Sequence, residues 1–223
     1  MNKKSVTIVG AGITGLTAAY SFLKLGWKVR VLESSGLLGG LAASVDFDGA
    51  PVEKYYHFIC REDHELVNLI DELGLTAKLS WREASTSCYI DGRIFPFNTP
   101  YDLLRFSPAP FSQRLRFGAH AFLSQWRQSW SSLDKIPARP WLIRNIGLQA
   151  YNAIWDPLLR IKFGKYHDQI SAAWIWHRIH RVARSRTSML AVNSYGFLER
   201  GCYDLIDGIH GKVSQNKIGR AHV

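Results

Sequence analysis

The chain has 223 residues, of which 47% are hydrophobic and 21% are charged, and its formal net charge is +10. This composition, with 18 glycines and 8 prolines, excludes a disordered tail, a collagen-like repeat and a coiled coil. Three separated cysteines exclude a disulfide scaffold and a cysteine-rich zinc site, and no apolar run reaches the about 18 residues of a membrane span. No secretion signal precedes the first predicted strand, so a cytoplasmic protein is expected.

Residues 4–33 predict a β-α-β unit with a glycine-rich turn. Glu33 stands at the end of this unit, 18 positions after Gly15. The turn contains the motif G-x-G-x-x-G. This motif binds a dinucleotide when a strand precedes it, a helix follows it and an acidic residue lies about 20 positions further on. The predicted elements are a buried parallel strand (Val6–Val9), the turn (Gly10–Gly15), a helix (Ile13–Leu25) closed by Gly26, and a second strand (Val29–Leu32).

Each part of this turn has a physical role in dinucleotide binding. Gly10 permits the tight turn, Gly12 lets a diphosphate approach the backbone, and Gly15 lets the helix pack against the strand. The first N–H groups of the helix favour negative charge. Glu33 is expected to accept hydrogen bonds from the adenosine ribose and to repel a 2′-phosphate, which disfavours NADP.

A second glycine pair follows soon after the ribose-binding acid and can bring more backbone N–H groups to the same diphosphate. The predicted cofactor-binding residues are therefore Gly10, Ala11, Gly12, Ile13, Thr14, Gly15, Glu33, Gly39, Gly40 and Leu41.

Two Asp-Gly pairs further along the chain predict β-hairpins. The Asp48-Gly49 turn joins predicted strands Ser44–Phe47 and Val52–Phe58, and the Asp91-Gly92 turn joins Ser87–Ile90 and Arg93–Phe97. A helix over Asp63–Leu73, with Asp63 as its N-cap and Gly74 closing it, is predicted between them. Proline clusters at Ser107–Pro110 and Ile136–Pro140 predict breaks rather than helix interiors.

The positive charge is concentrated in residues 114–186, which carry 13 basic and 3 acidic side chains, a net +10, whereas residues 1–113 carry 11 and 12. This stretch contains two apolar stripes at helical spacing. The first, over Arg114–Trp130, comprises Leu115, Ala119, Phe122, Leu123, Trp126 and Trp130; the second comprises Trp176, Ile179, Val182 and Ala183, opposed by Arg178, Arg181 and Arg184.

The favoured interpretation is that both stripes face a core while the basic faces meet solvent. One alternative is peripheral contact with an anionic membrane, or binding of an anionic, lipid-like substrate, through residues 114–186, because Trp and Arg together suit a headgroup boundary. The other is weak phosphate binding, although the sequence contains no motif for specific nucleic-acid recognition.

The run from Val6 to Ala42 resembles the FAD-binding start of the flavin amine oxidase superfamily, which includes protoporphyrinogen oxidases, carotenoid desaturases and, more distantly, UDP-galactopyranose mutases. Many members have Arg after the glycine pair, where this chain has Leu41. The resemblance to the protoporphyrinogen-oxidase-like branch continues to about Lys217. It is carried by Pro51–Phe58, Trp155–Gly164 and Tyr195–Asp207, with Arg200 where relatives more often have glycine.

This resemblance implies an α/β fold: a Rossmann-type FAD-binding domain interrupted by a mainly helical substrate domain and truncated before the C-terminal half. The expected parts are the first FAD-binding segment (residues 1–75), a basic substrate or cap domain (76–193) and a return segment (194–217). Residues 218–223 match the translation of a widely used sequencing adapter, so they are expected not to derive from the protein.

The function that the resemblance implies is an FAD-dependent oxidoreductase that oxidises a C–N or C–C bond of an unidentified small molecule. The alternatives are a flavin isomerase similar to UDP-galactopyranose mutase and a non-catalytic nucleotide-binding module. In relatives the first hairpin runs near the flavin ring, so Tyr56 and His57 are the candidates for catalysis, although the favoured interpretation of His57 is a histidine hydrogen-bonded within a strand. No metal site is predicted, since His177 and His180 lie among arginines.

Overall fold

The computed structural model describes residues 4–184 and 191–214. The chain forms two compact units. Unit 1 contains Met1–Ile59, Asp63–Trp81 and Gly196–Val223, and unit 2 contains Cys60–Glu62 and Arg82–Tyr195. The predicted adapter-derived segment, 218–223, lies outside the described residues.

The described strands form four two-stranded sheets, β1-β2, β3-β4, β5-β8 and β6-β7. Their bounds are β1 Ser5–Val9, β2 Lys28–Leu32, β3 Ser44–Phe47, β4 Ala50–Glu53, β5 Leu79–Glu83, β6 Ser87–Ile90, β7 Arg93–Pro96 and β8 Ser194–Leu198.

Ten helices are described, and three short 3₁₀ turns (Gly40–Ala42, Thr76–Lys78, Gly164–Gln169) and a π-helical turn (Tyr151–Trp155) lie between them. The helices are α1 Ile13–Lys24, α2 His64–Glu72, α3 Pro100–Arg105, α4 Phe111–Ser124, α5 Ser131–Asp134, α6 Ala138–Ile146, α7 Leu148–Ala150, α8 Asp156–Phe163, α9 Ala172–Arg184 and α10 Cys202–Ser214. In the described residues no helix is both long and apolar enough to cross a lipid bilayer.

The β-α-β unit is confirmed: β1 and β2 pair in parallel, with Ser5 opposite Lys28, and α1 connects them. The helix ends at Lys24, one residue earlier than predicted, and Gly26 has the positive φ of a closing residue. The prediction that β1 is buried is wrong, because Val9 is 83% exposed. In the described part of the chain β1 pairs only with β2, and one neighbour does not bury a strand.

Both hairpins form with the predicted Asp-Gly turns, and all four turn residues have positive φ. Strand β4, however, ends at Glu53 rather than at Phe58. The Glu53 carboxylate accepts a hydrogen bond from the His57 backbone N–H at 3.0 Å, which turns the chain away from the strand direction. Strand β7 likewise ends one residue before Phe97.

The core of unit 1 packs α1, α2 and α10 around the β1-β2 pair. Helix α2 is confirmed with Asp63 in the N-cap position and Gly74 in a left-handed conformation after its end. The fully buried side chains of this core include Leu16, Val31, Ile70 and Ile209.

The core of unit 2 is built from helices and the β6-β7 hairpin, and its largest fully buried side chains are Tyr151, Phe106, Leu142, Ile146, Leu159 and Ile175. The break at Ser107–Pro110 is confirmed between α3 and α4. At Ile136–Pro140 the prediction is wrong in part, because α6 begins at Ala138 and contains Pro140. The first turn of a helix tolerates proline, since its backbone N–H groups have no helical partner.

The prediction that the first apolar stripe faces a core is wrong. Helix α4 runs over Phe111–Ser124 rather than Arg114–Trp130, and the stripe faces solvent instead of a core. Its exposed side chains are Leu115, Ala119, Phe122, Leu123, Trp126 and Trp130. The helix buries Phe117 and Ser124 instead, because the Trp176 indole N–H donates to the Ser124 carbonyl at 2.9 Å and holds that side inward.

In the second stripe, on α9, Trp176 is buried and Ile179 packs against the unit 2 core, as predicted. Val182 is partly buried, while the side chains of Ala183 and Arg184 lie outside the description.

Candidate functional site

The glycine-rich turn connects β1 to α1 in a tight loop. Gly10 has φ +95°, a conformation that L side chains rarely adopt, and its N–H donates to the Leu32 carbonyl at 2.7 Å. The first backbone hydrogen bond of α1 runs from the Leu16 N–H to the Gly12 carbonyl. The N–H groups before Leu16 in the first turn therefore have no acceptor within the helix. A Cβ atom placed on Gly12 meets nothing within 4 Å, so open space lies in front of this backbone.

Gly15 has the opposite environment. A Cβ atom at this position would lie 2.0 Å from the Gly10 carbonyl oxygen and 3.4 Å from Cγ2 of Ile8. Gly15 therefore provides the close approach of helix to strand and loop that the sequence predicts for it.

Ala11 joins three predicted parts of the site. Its N–H donates to the Glu33 carboxylate at 2.6 Å, and its carbonyl accepts from the Gly39 N–H at 2.8 Å. Gly39 has φ +102°, and a Cβ atom on Gly40 would lie 3.3 Å from Cα of Gly12. The two glycine-rich segments are therefore in contact, with the acidic residue beside them.

The Glu33 carboxylate is held in its ionised form. Backbone N–H groups of Ser35, at 2.8 Å, and of Ala11 donate to it and hold its pKa below the ordinary value, although partial burial opposes this. An ionised carboxylate only accepts hydrogen bonds, so it suits the hydroxyl donors of a ribose.

The remaining predicted residues surround this loop. Ile13 and Thr14 form the first turn of α1, and Thr14 is exposed there. Leu41 lies in the 3₁₀ turn Gly40–Ala42 and is 73% exposed, so the side chain that replaces the arginine of many relatives points away from a core.

The two catalytic candidates lie after β4 and not within a strand. Tyr56 is 74% exposed, and its ring stacks on Phe58 with centroids 6.3 Å apart. His57 lies next to Glu53, with its Nδ1 atom 3.4 Å from the carboxylate oxygen that accepts from its own backbone N–H. His57 was expected within a strand, but it lies in a loop beside the Glu53 carboxylate.

Glu53 is also the centre of a cluster that the sequence analysis missed. One of its oxygens accepts from the Cys202 N–H at 2.6 Å, across 149 residues of sequence, and so anchors the start of α10. The ligand atoms of Glu53, His57 and Cys202 lie within 4.8 Å of one another. Burial, followed by the neighbouring carboxylate of Glu53, raises the pKa of the Cys202 thiol to about 12.

Cys202 is consequently expected to react very slowly with iodoacetamide at pH 8, because roughly one thiol in ten thousand is then ionised. Peptide mapping by mass spectrometry should show Cys202 modified much faster in the urea-unfolded chain than in the folded one. Glu53→Gln, which removes the carboxylate charge, should accelerate modification in the folded chain. Equal rates in folded and unfolded protein would contradict the raised pKa, and an unchanged rate in folded Glu53→Gln would show that Glu53 does not control this thiol.

A second group of charges stabilises the segment before α10. The Asp204 carboxylate is fully buried and accepts from the Arg200 backbone N–H, from the Arg200 guanidinium and, at 3.2 Å, from Lys78. The Asp204 carboxylate oxygens lie 2.9 Å from the backbone N and from Nε of Arg200, and 2.7 Å from its Nη2 atom. Arg200, which stands where relatives more often have glycine, therefore has a carboxylate partner within this chain.

A parallel β-α-β unit with a glycine loop, an acidic residue after its second strand and a second glycine pair against the loop defines a Rossmann-type nucleotide-binding fold. The family model for flavin containing amine oxidoreductase matches residues 13–217. The chain belongs to this family, whose members are flavoprotein oxidoreductases, and the predicted resemblance is confirmed.

Individual relatives agree with this assignment. The chain is 26% identical to protoporphyrinogen oxidase 2 of Arabidopsis thaliana over 70% of its own length and 32% of that protein. It is 38% identical to putrescine oxidase of Kocuria rosea over 38% of its length and 18% of that protein. The structure of reduced UDP-galactopyranose mutase superimposes with a TM-score of 0.68 at 20% identity, covering 98% of this chain and 48% of the mutase, which shows a shared fold. The chain thus spans about a third or less of these curated relatives and about half of this structure.

Proposed function

We propose that the chain binds the ADP part of FAD, and that the whole protein is an FAD-dependent oxidoreductase acting on a C–N or C–C bond. One observation carries this proposal: Ala11 holds the glycine loop, Glu33 and the second glycine pair together through two backbone hydrogen bonds. Family membership implies a flavin, and this arrangement favours FAD over FMN, because FAD carries a diphosphate and an adenosine ribose and FMN carries neither.

The residues present fit such a ligand. Open space in front of Gly12 and a first turn of α1 without an acidic side chain leave room for a diphosphate at a helix N-terminus, where the dipole favours negative charge. Ionised Glu33 would accept from the ribose hydroxyls and repel a 2′-phosphate. Bound FAD would supply hydride acceptance at the flavin ring, while these residues bind and orient its other end.

We further propose that the nucleotide-binding domain is formed by residues 1–75 and 194–217, and that residues 76–193 form a substrate domain inserted between them. The discontinuous composition of unit 1, with unit 2 between its segments, supports this division. Tyr56 and His57 remain the proposed contacts with the flavin ring or substrate, since both are exposed in the loop after β4. Because the relatives are longer, the activity is proposed for the whole protein.

Gly12→Ala is expected to leave folding unchanged and to weaken FAD and ADP binding at least about tenfold, because the added methyl group occupies the approach of the diphosphate. Gly12 has φ −66°, which alanine adopts without strain. Titration calorimetry with FAD and with ADP measures the affinity, and circular dichroism monitors the fold.

Gly36→Ala is the matched control, since a Cβ atom there also meets nothing within 4 Å and the residue lies outside the glycine loop. Equal affinity of Gly12→Ala and the control would contradict binding at this loop. In the complete flavoprotein, net reduction of the flavin by substrate distinguishes an oxidoreductase from a mutase, which turns over without net redox change.

A further inference from the structure

Three side chains of the kinds that bind metal ions meet at the end of β4. Glu53 is the last residue of this strand, His57 lies in the loop after it, and Cys202 is the first residue of α10. All three belong to unit 1, and their ligand atoms lie within 4.8 Å of one another. We call these three residues the Glu53 cluster. Binding of ADP at the glycine loop, as proposed above, uses none of them.

The spacing of His57 and Glu53 fits two ligands of one ion better than it fits a hydrogen bond. The Nδ1 atom of His57 lies 3.4 Å from a carboxylate oxygen of Glu53. A charge-assisted hydrogen bond between such atoms is about 2.7–2.9 Å long. Two N or O ligands that each lie about 2.0–2.1 Å from a tetrahedral Zn²⁺ ion are about 3.3–3.4 Å apart. The two atoms therefore have the spacing of neighbouring corners of a zinc tetrahedron.

Backbone hydrogen bonds fix the carboxylate at the centre of the cluster. One Glu53 oxygen accepts from the Cys202 N–H at 2.6 Å, and the other accepts from the His57 N–H at 3.0 Å. A Cβ atom on Gly201 would collide with the first of these oxygens, so a larger residue there would push the carboxylate away. The two partner residues are thus held beside Glu53 by their backbones, which brings the three ligands together before an ion binds.

The charges of the cluster match those of a divalent cation. The Glu53 carboxylate and a Cys202 thiolate together carry two negative charges, and a neutral His57 imidazole adds a third ligand. Without a cation, burial and the neighbouring carboxylate keep the thiol protonated and raise its pKa to about 12. A cation compensates both anions at once and so removes the repulsion between them.

A buried hydroxyl group without a partner lies on the same face of the hairpin. Ser44 is directly opposite Glu53 in the β3-β4 register, and residues opposite each other project to the same side of a sheet. The Oγ atom of Ser44 is buried and forms no hydrogen bond within the described residues. Buried polar groups are nearly always paired. A water molecule at the fourth position of a three-ligand zinc ion would satisfy this hydroxyl.

From these observations we infer that Glu53, His57 and Cys202 bind a Zn²⁺ ion through a carboxylate oxygen, Nδ1 and Sγ. The mixed O, N and S ligands select this ion, because Mg²⁺ and Ca²⁺ take oxygen ligands. Binding forms a Zn–S bond and releases the thiol proton to solvent, with no change of oxidation state. Because Nδ1 is the ligand, the Nε2 atom of His57 is left for the flavin or substrate contact proposed above. The inference does not depend on nucleotide binding.

The test uses Co²⁺ as a spectroscopic probe of the zinc site in the untagged, chelator-treated chain. An equimolar amount should produce a thiolate-to-cobalt charge-transfer band in the near ultraviolet and the visible bands of a tetrahedral ion. Zn²⁺ should displace the cobalt and remove both, whereas excess Mg²⁺ should leave them unchanged. Cys202→Ser should abolish the charge-transfer band. His57→Gln should retain it but weaken Co²⁺ binding at least about tenfold.

Cys88→Ser is the matched control, because Cys88 on β6 is also a partly buried free cysteine. It should leave the cobalt spectrum unchanged, and circular dichroism should report the same fold for every variant. The inference is overturned if the unchanged chain gives no charge-transfer band, if the band survives in Cys202→Ser, or if Cys88→Ser also removes it. Unchanged cobalt affinity in His57→Gln overturns it as well, and this exposed loop position can be tested even if Cys202→Ser alters the fold.

A titration with ADP distinguishes this inference from the proposed function. The metal-free and the zinc-loaded chain should bind ADP with the same affinity, because the Glu53 cluster shares no residue with the glycine loop. Cobalt binding without ADP binding would contradict the proposed function alone, and ADP binding without the cobalt spectrum would contradict the zinc site alone.

Discussion

Gly15→Ala is expected to lower the free energy of unfolding by about 3 kcal/mol or more and to abolish nucleotide binding. The added Cβ atom would lie 2.0 Å from the Gly10 carbonyl oxygen and 3.1 Å from its carbon. These are backbone atoms, and the Gly10 N–H is itself bonded to the Leu32 carbonyl, so the loop cannot shift without separating it from β2. Urea unfolding measures the loss of stability.

Gly36→Ala provides the comparison for this variant too, because it adds the same methyl group in open space. Its free energy of unfolding should stay within about 0.5 kcal/mol of the unchanged chain. Hydrogen exchange should locate the effect of Gly15→Ala in β1, α1 and β2. Unfolding midpoints that coincide for the two variants would show that helix and loop are not in the close contact described.

Asp204→Asn is expected to destabilise the fold by about 3 kcal/mol at neutral pH. The carboxylate is only 1% exposed and serves three donors, the Arg200 backbone, the Arg200 guanidinium and Lys78. An amide in its place carries no charge and turns one donor group toward these cations. Asp207→Asn is the matched control, since Asp207 is exposed and lies 3.6 Å from the same guanidinium, and it should change stability by less than about 0.5 kcal/mol.

The effect of Asp204 should depend on pH in a defined direction. Burial alone raises the pKa of this carboxyl group, but the hydrogen bonds from Arg200 and Lys78 outweigh it and hold the pKa below the ordinary 3.8. A carboxyl group with a lower pKa in the folded state contributes stability above its unfolded pKa and loses it as pH falls through the folded pKa. Urea unfolding of the unchanged chain and of Asp204→Asn should therefore give a large difference at pH 7 that shrinks below pH 3.8. A difference that stays constant over this range would exclude an ionised Asp204.

The sequence by itself determined the nucleotide-binding unit. Strand, glycine loop, helix and Glu33 all lie within 33 residues, and their contacts are local: the loop needs glycine at Gly10 for its φ and at Gly15 for space. The two Asp-Gly turns are equally local, since a tight hairpin turn depends on the conformations of the two turn residues. Such features depend on backbone geometry and on contacts between residues close in sequence. Residue type and spacing are enough to predict both.

Periodicity, in contrast, could not decide which side of α4 is buried. The predicted stripe is apolar and has helical spacing, yet Phe117 and Ser124 face the core, because Trp176, 52 positions after Ser124, supplies the partner for that side. A hydrophobic stripe shows that one face of a helix avoids water, and only the packed unit shows what covers it.

The charged clusters were decided by tertiary structure for the same reason. Glu53 meets Cys202 across 149 residues, and Lys78 meets Asp204 across 126. Neither distance in sequence carries a signal, although the unusual Arg200 marked the place where a partner carboxylate lies. The exposure of β1 also depends on which strands pair beside it. Local backbone requirements depend on residues that are consecutive in the sequence, whereas long-range pairs form only when the packed elements bring distant side chains together.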